Sequence, residues 1–131
     1  MNTFDSSSQL ETAESAESAS GPNVATAVEW HDRSAVLTVS GEIDMVTAPR
    51  FEEALLEALH KEPATLVVDL SGVDFFASAG LSSLVTAYQR TDEHTELRVV
   101  ATNSATVRPL QVTALDNKIP VHATREEALA A

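Results

Sequence analysis

The chain has 131 residues, a formal net charge of −12 and no cysteine, with 44% hydrophobic and 5% aromatic residues. The missing cysteines exclude disulfides, thiolate zinc sites, a cysteine nucleophile and thiol redox sensing. The acidity opposes direct contact with nucleic-acid phosphates or anionic lipid heads, and leaves solubility or a basic partner as its meaning.

This length fits one domain plus a tail, with a core built mainly from Val, Leu, Ile and Ala. No run of 18 apolar residues is present, so no membrane-spanning helix is expected. The N-terminus lacks the basic and then apolar pattern of a secretory signal, which makes cytoplasmic residence the expectation. Residues 1–23 carry four acidic and no basic side chains. That composition predicts a disordered acidic Ser/Ala/Glu-rich tail, closed by Gly21-Pro22, with the folded domain over residues 24–131.

Val28 to His31 and Ala35 to Ser40 read as a hairpin turned by Asp32-Arg33-Ser34. Thr47 is placed to cap a first helix with Pro49 in its first turn. Phe51, Leu55 and Leu59 form the apolar stripe of that helix, and Pro63 closes it. Thr65 to Leu70 is a continuous β-branched run, typical of a strand covered on both faces. A second helix opens near Ser78, with Leu81, Leu84, Val85 and Tyr88 on one side. Leu97 to Ala101 is a further strand. Asn103 or Ser104 caps a third helix to about Leu115, which Pro109 confines to its first turn or bends. Ile119 to His122 forms a last strand. Thr124 and Glu127 match a capping box for a C-terminal helix. The order ββαβαβαβα predicts an α/β fold: a mixed sheet, antiparallel in its leading hairpin and then parallel, with about four helices.

The segment from Asp69 to Leu81 joins a buried strand to a helix, the place where open α/β sheets meet ligands and partners. Ser78 reads either as a helix N-cap or as a regulatory phosphoacceptor. Ala77, Ala79 and Gly80 beside it permit close helix packing or close approach of another protein. At least one of Phe75 and Phe76 belongs to the core, leaving the other as a surface anchor. Asp44 reads as a turn carboxylate or a binding residue. Asp69, at a strand end, lacks the acidic pair and lysine of a receiver domain and is rejected as a phosphoacceptor. The four His residues show no metal-ligand spacing, and no P-loop, GxGxxG or assignable Ser-His-Asp set occurs. No cofactor, metal or catalytic residue is therefore expected.

The run Asp69-Leu70-Ser71-Gly72-Val73-Asp74-Phe75-Phe76-Ala77-Ser78-Ala79-Gly80-Leu81 resembles the signature of the STAS domain, shared by sulfate transporters and anti-sigma factor antagonists. The run Ser40-Gly41-Glu42-Ile43-Asp44-Met45-Val46-Thr47-Ala48 resembles the family's other marker. The resemblance covers roughly Val24 to Leu129. It implies a non-catalytic regulator that binds an anti-sigma factor, often a serine kinase, and so releases a sigma factor. It further implies Ser78 as the phosphoacceptor whose modification ends binding, a phosphatase that reverses it, and a partner surface of Glu42, Asp44, Phe76, Ala77, Ser78, Ala79, Gly80 and Leu81. The family's usual residue before the acceptor is Asp. Ala77 removes that carboxylate and leaves open an antagonist that works without phosphorylation. The alternative implied by the resemblance is a cytosolic STAS subunit of a lipid or solute transport complex. A nucleotide-binding or enzymatic role lacks a phosphate-cradling loop.

Overall fold

In the computed structural model, which describes residues 23–131, the elements follow the expected order. They are β1 (Val24–His31), β2 (Ser34–Ile43), α1 (Ala48–His60), β3 (Thr65–Phe76), α2 (Ser78–Arg90), β4 (Glu96–Val100), α3 (Ser104–Val112), β5 (Val121–His122) and α4 (Arg125–Ala130). A 3-10 turn at Leu115–Asn117 separates α3 from β5. The expected acidic tail, apart from Asn23, lies outside the described residues. The five strands line up as β1-β2-β3-β4-β5. Only the leading hairpin is antiparallel; every later pair is parallel. Asp32 turns the hairpin at a φ of 56°, a conformation its short polar side chain tolerates.

Strand alternation divides the core between two faces of the sheet. Ala35, Leu37, Val39, Leu66, Val68 and Val99 join one cluster with Phe51, Leu55, Leu84 and Leu110 of α1, α2 and α3. Val36, Val67 and Val100 point the other way and meet Ala128 and Leu129 of α4. Coverage on both sides explains the apolar run Leu66-Val67-Val68 of β3, because a stretch with no solvent face has no polar positions to alternate. Phe76 and Phe51 pack edge to face, 6.2 Å between centroids. Gly80 makes room for this contact: a Cβ there would lie 2.7 Å from both Ile43 Cγ2 and a Phe76 ring carbon.

Two helix ends depart from the sequence reading. Asn103 caps α3 by accepting from the Thr106 N–H at 3.2 Å, as expected, but Pro109 sits inside the helix beyond its first turn. The helix continues because only one intrahelical bond, to the Ala105 carbonyl, requires the N–H that proline lacks. At α4 the Thr124 hydroxyl accepts from the Glu127 N–H at 3.1 Å. The Glu127 carboxylate reaches back to the N–H of Ala123 at 3.2 Å and not to that of Thr124, so the capping box is closed one residue early.

Two arginines fasten α4 to the sheet. The Arg125 Nε donates to Asp69 Oδ2 at 2.6 Å and an Arg125 terminal nitrogen to Thr38 Oγ1 at 2.7 Å. Buried Arg98 donates to the Ala128 carbonyl at 2.5 Å and pairs with Glu96 at 3.0 Å. Asp69 is 3% exposed and also accepts from the Ser71 N–H and hydroxyl. Burial works against its charge, but the Ser71 hydrogen bonds and the Arg125 guanidinium prevail and hold the carboxyl below its ordinary range. One of its oxygens thus serves Ser71 and the other fastens α4. Among the described residues no helix is long and apolar enough to cross a membrane.

Asp69→Asn should lower unfolding stability by about 2 kcal/mol at pH 7, since it removes the nearer counter-charge of a partly buried guanidinium and leaves Glu29 at 3.6 Å. A carboxyl with a depressed folded pKa contributes fully above its unfolded value of about 3.9 and loses that contribution as pH falls through the folded one. Urea titrations should accordingly show the gap between variant and parent closing below about pH 4, and a gap that persists there would contradict the pairing. Gly80→Val should cost about 3 kcal/mol by overpacking against Ile43 and Phe76, read as a fall in urea midpoint at unchanged slope.

Candidate functional site

The sequence after Leu70, read as a loop, is a continuation of β3. It stays paired with β2 through Ser40↔Gly72, Gly41↔Val73, Glu42↔Phe75 and Ile43↔Phe76. β3 gains one residue on β2 between Thr38 and Ser40 and another between Gly41 and Glu42. Each bulge offsets the two-residue alternation. Val73 and Phe76 therefore both face the core, while Asp74 and Phe75 face solvent. Gly41, at a φ of 100°, lies against the carbonyl of Asn23; a Cβ would come within 2.0 Å of that oxygen. Only glycine fits the crossing of these chains.

The turn from Glu42 to Thr47 is built by two side chains. One Asp44 carboxylate oxygen accepts from the N–H groups of Val46 and Thr47, each at 2.9 Å. The Thr47 hydroxyl donates to the Glu42 carbonyl at 2.7 Å and accepts from the Asp44 N–H at 2.9 Å. Thr47 occupies the N-cap position of α1, yet its side chain makes no capping bond, because its hydroxyl is committed to the turn behind it. The backbone N–H of Thr47 is the first cause of a lowered Asp44 pKa, so this carboxylate stays charged into acid.

The two motif segments meet at one backbone bond: the Ala77 N–H donates to the Ile43 carbonyl at 2.8 Å. Ala77 is the N-cap of α2, extended at φ −84° and ψ 172°, with no side-chain capping bond. Ser78 is therefore not the N-cap. It is the first residue of the helix, and it is exposed. The Ala77 carbonyl accepts from the N–H groups of Gly80 and Leu81 at 2.9 and 3.3 Å.

Two residues assigned to the partner surface are corrected by their burial. Phe76 is 5% exposed and belongs to the core; the second bulge sends Phe75 outward in its place, at 52% exposure. Gly80 is buried against Ile43 and Phe76 and acts as a spacer. Glu42 and Ser78 are exposed, while Asp44, Ala77, Ala79 and Leu81 are half-buried at the same end of the sheet. Met45 and Val46, which the sequence reading passed over, project from the neighbouring turn at 81% and 72% exposure. Their signal was two adjacent apolar residues between a strand and a helix cap, where a turn needs none. The surface thus combines a hydroxyl, large apolar side chains and the carboxylates of Glu42, Asp44 and exposed Asp74. Nothing in it resembles a nucleophile–base pair. Exposed apolar groups set among charged ones are the composition of protein-contact surfaces in general.

Comparison with known proteins agrees. The STAS domain family model matches residues 25–128. The anti-sigma-F factor antagonist RsfB of Mycobacterium tuberculosis is 36% identical over 107 residues, covering 82% of this chain and 88% of that protein. The crystal structure of an anti-sigma factor antagonist from Mycobacterium paratuberculosis superposes with a TM-score of 0.79 at 44% identity, covering 82% of this chain and 92% of that one. The antagonist SpoIIAA in its unphosphorylated form shares the fold, with a TM-score of 0.67 at 17% identity over 80% of this chain and 93% of its own. With the match running from β1 into α4, the chain belongs to the STAS-domain family.

Proposed function

We propose that this chain is a cytoplasmic, non-catalytic anti-sigma factor antagonist. It docks the surface around Ser78 onto an anti-sigma factor, which then releases its sigma factor. Phosphorylation of Ser78 by a serine kinase ends the docking, and a phosphatase restores it. Relatives named for this role support the reading. The observation that carries it is the placement of Ser78: exposed, in the first turn of α2, beside apolar side chains left in water.

The chemistry of that turn suits a reversible anion. A phosphate adds about −1.5 to −2 charges at neutral pH. The first turn of a helix presents unpaired N–H groups and the positive end of the macrodipole. Ala77 supplies no side-chain acceptor for them, and it also removes a like charge from beside the acceptor. The fold therefore tolerates the phosphate, whereas a partner packed over Ser78 meets a new and heavily hydrated charge.

The test is calorimetry of the full chain against the purified anti-sigma factors of its source organism. Ser78→Ala should bind as the parent does, and Ser78→Glu about tenfold or more weakly, because a carboxylate would be forced into a desolvated contact. Equal affinity of the two variants would remove Ser78 from the switch.

A further inference from the structure

We infer that the apolar groove between the end of β3, α2 and α3 is the second half of the docking surface, and that it takes an apolar segment of the anti-sigma factor whose carboxylate pairs with Arg108. The inference rests on the reading of the Ser78 surface as the antagonist's interface. The groove has a volume of about 490 Å³ and is walled by Phe75, Leu81, Ala105, Arg108, Pro109 and Val112, with small hydroxyl residues filling the gaps. Phe75 and Leu81 each stand three residues from Ser78, so the groove and the switch share their wall. A partner covering Ser78 closely must reach its rim.

Solvent touches these apolar groups directly. Val112 is 78% exposed and Phe75 52% exposed, and neither supports the core. Leaving such side chains in water has a free-energy cost that a covering partner removes. Pro109 shapes the wall further. Lacking an N–H, it leaves the Ala105 carbonyl without its usual donor four residues on, and both residues line the groove.

Charge selects the occupant. The chain carries a net −12, yet among the described residues Arg108 is the only charged side chain lining this groove. A carboxylate is its complement. On the other side of Ser78 the turn carries Glu42 and Asp44, which call for basic groups, with Arg50 of α1 further along beside Met45 and Val46. The partner footprint is therefore bipolar: cationic over the Glu42–Thr47 turn, apolar and anionic over α3. A pattern of two signs fixes the orientation of docking as well as its affinity.

The experiment uses full-length Val112→Glu, Arg108→Glu and Ser78→Glu beside the parent, titrated into the anti-sigma factor that the parent binds. Val112→Glu and Arg108→Glu should each weaken binding about tenfold while Ser78 is intact, with the circular dichroism and Tm of the parent. The Arg108→Glu deficit should shrink as salt is raised. Parental affinity in both groove variants, with Ser78→Glu still impaired, would overturn the groove and spare the Ser78 surface. Failure of the parent to bind any anti-sigma factor would overturn both readings. Dimerisation of the parent lost in Val112→Glu, or crosslinks from the groove to residues 1–22, would give the groove to a second copy or to the chain's own N-terminus and equally overturn the inference.

Discussion

The hydrogen bond from the Ala77 N–H to the Ile43 carbonyl, 2.8 Å long, is the contact on which the candidate site depends. It ends the β2–β3 ladder at the point where both chains turn away, one into the Glu42–Thr47 turn and the other into α2. Below it, Gly80 lets α2 settle onto Ile43 and Phe76. The Phe76 ring meets Phe51 of α1 edge to face, so the starts of both helices are referred to one packed cluster. A backbone bond with dry packing beneath it leaves little freedom for either turn. Ser78, Asp44, Met45 and Val46 gain fixed positions without spending their own side chains on the core.

That division of labour extends across the molecule. The polar contacts that hold α4 lie on the opposite face of the sheet, where Arg125 and Arg98 act through Asp69, Thr38 and the Ala128 carbonyl. Among the described residues seven large apolar side chains are exposed, and Met45, Val46, Phe75 and Val112 of these lie on the Ser78 surface or in the groove beside it. Random scatter would place few of seven on one end of a domain, and single exposed apolar residues need no explanation. A group of four on the Ser78 surface and its adjoining groove does call for one, and the proposed contact with another protein would supply it.

Most elements were legible because one physical pattern governed each. The amphipathic stripes of α1 and α2 follow a period of 3.6, and Leu66 to Val68 carry the continuous apolar signature of a strand with no wet face. What sequence could not convey was strand pairing beyond Leu70. Ser71-Gly72 has the chemistry of a turn, but tertiary pairing with Ser40 and Gly41 keeps the backbone extended. The bulges that this pairing requires decide which of two adjacent phenylalanines is buried, and no local period reports a bulge. Thr47 misled for a similar reason: its hydroxyl can cap α1 or brace the turn behind it, and the Glu42 carbonyl takes the proton. Ser78 and Asp44 were singled out by their places in the two motif runs that resemble the STAS signature; position alone left each with a capping or turn reading.

The substitution of alanine for the usual aspartate at position 77 gains a physical meaning from the cap geometry. A carboxylate at an N-cap would accept the first-turn N–H groups of α2 itself and would repel any anion on the next residue. With Ala77 there, the helix start carries no competing acceptor and no like charge. A phosphate on Ser78 would then face a positive helix end instead of a neutralised one. Its cost to the folded domain would be small, and nearly the whole of its effect would fall on the interface, where desolvating a dianion is most unfavourable. A switch arranged in this way works by exclusion at the surface and requires no movement of the sheet or of α2.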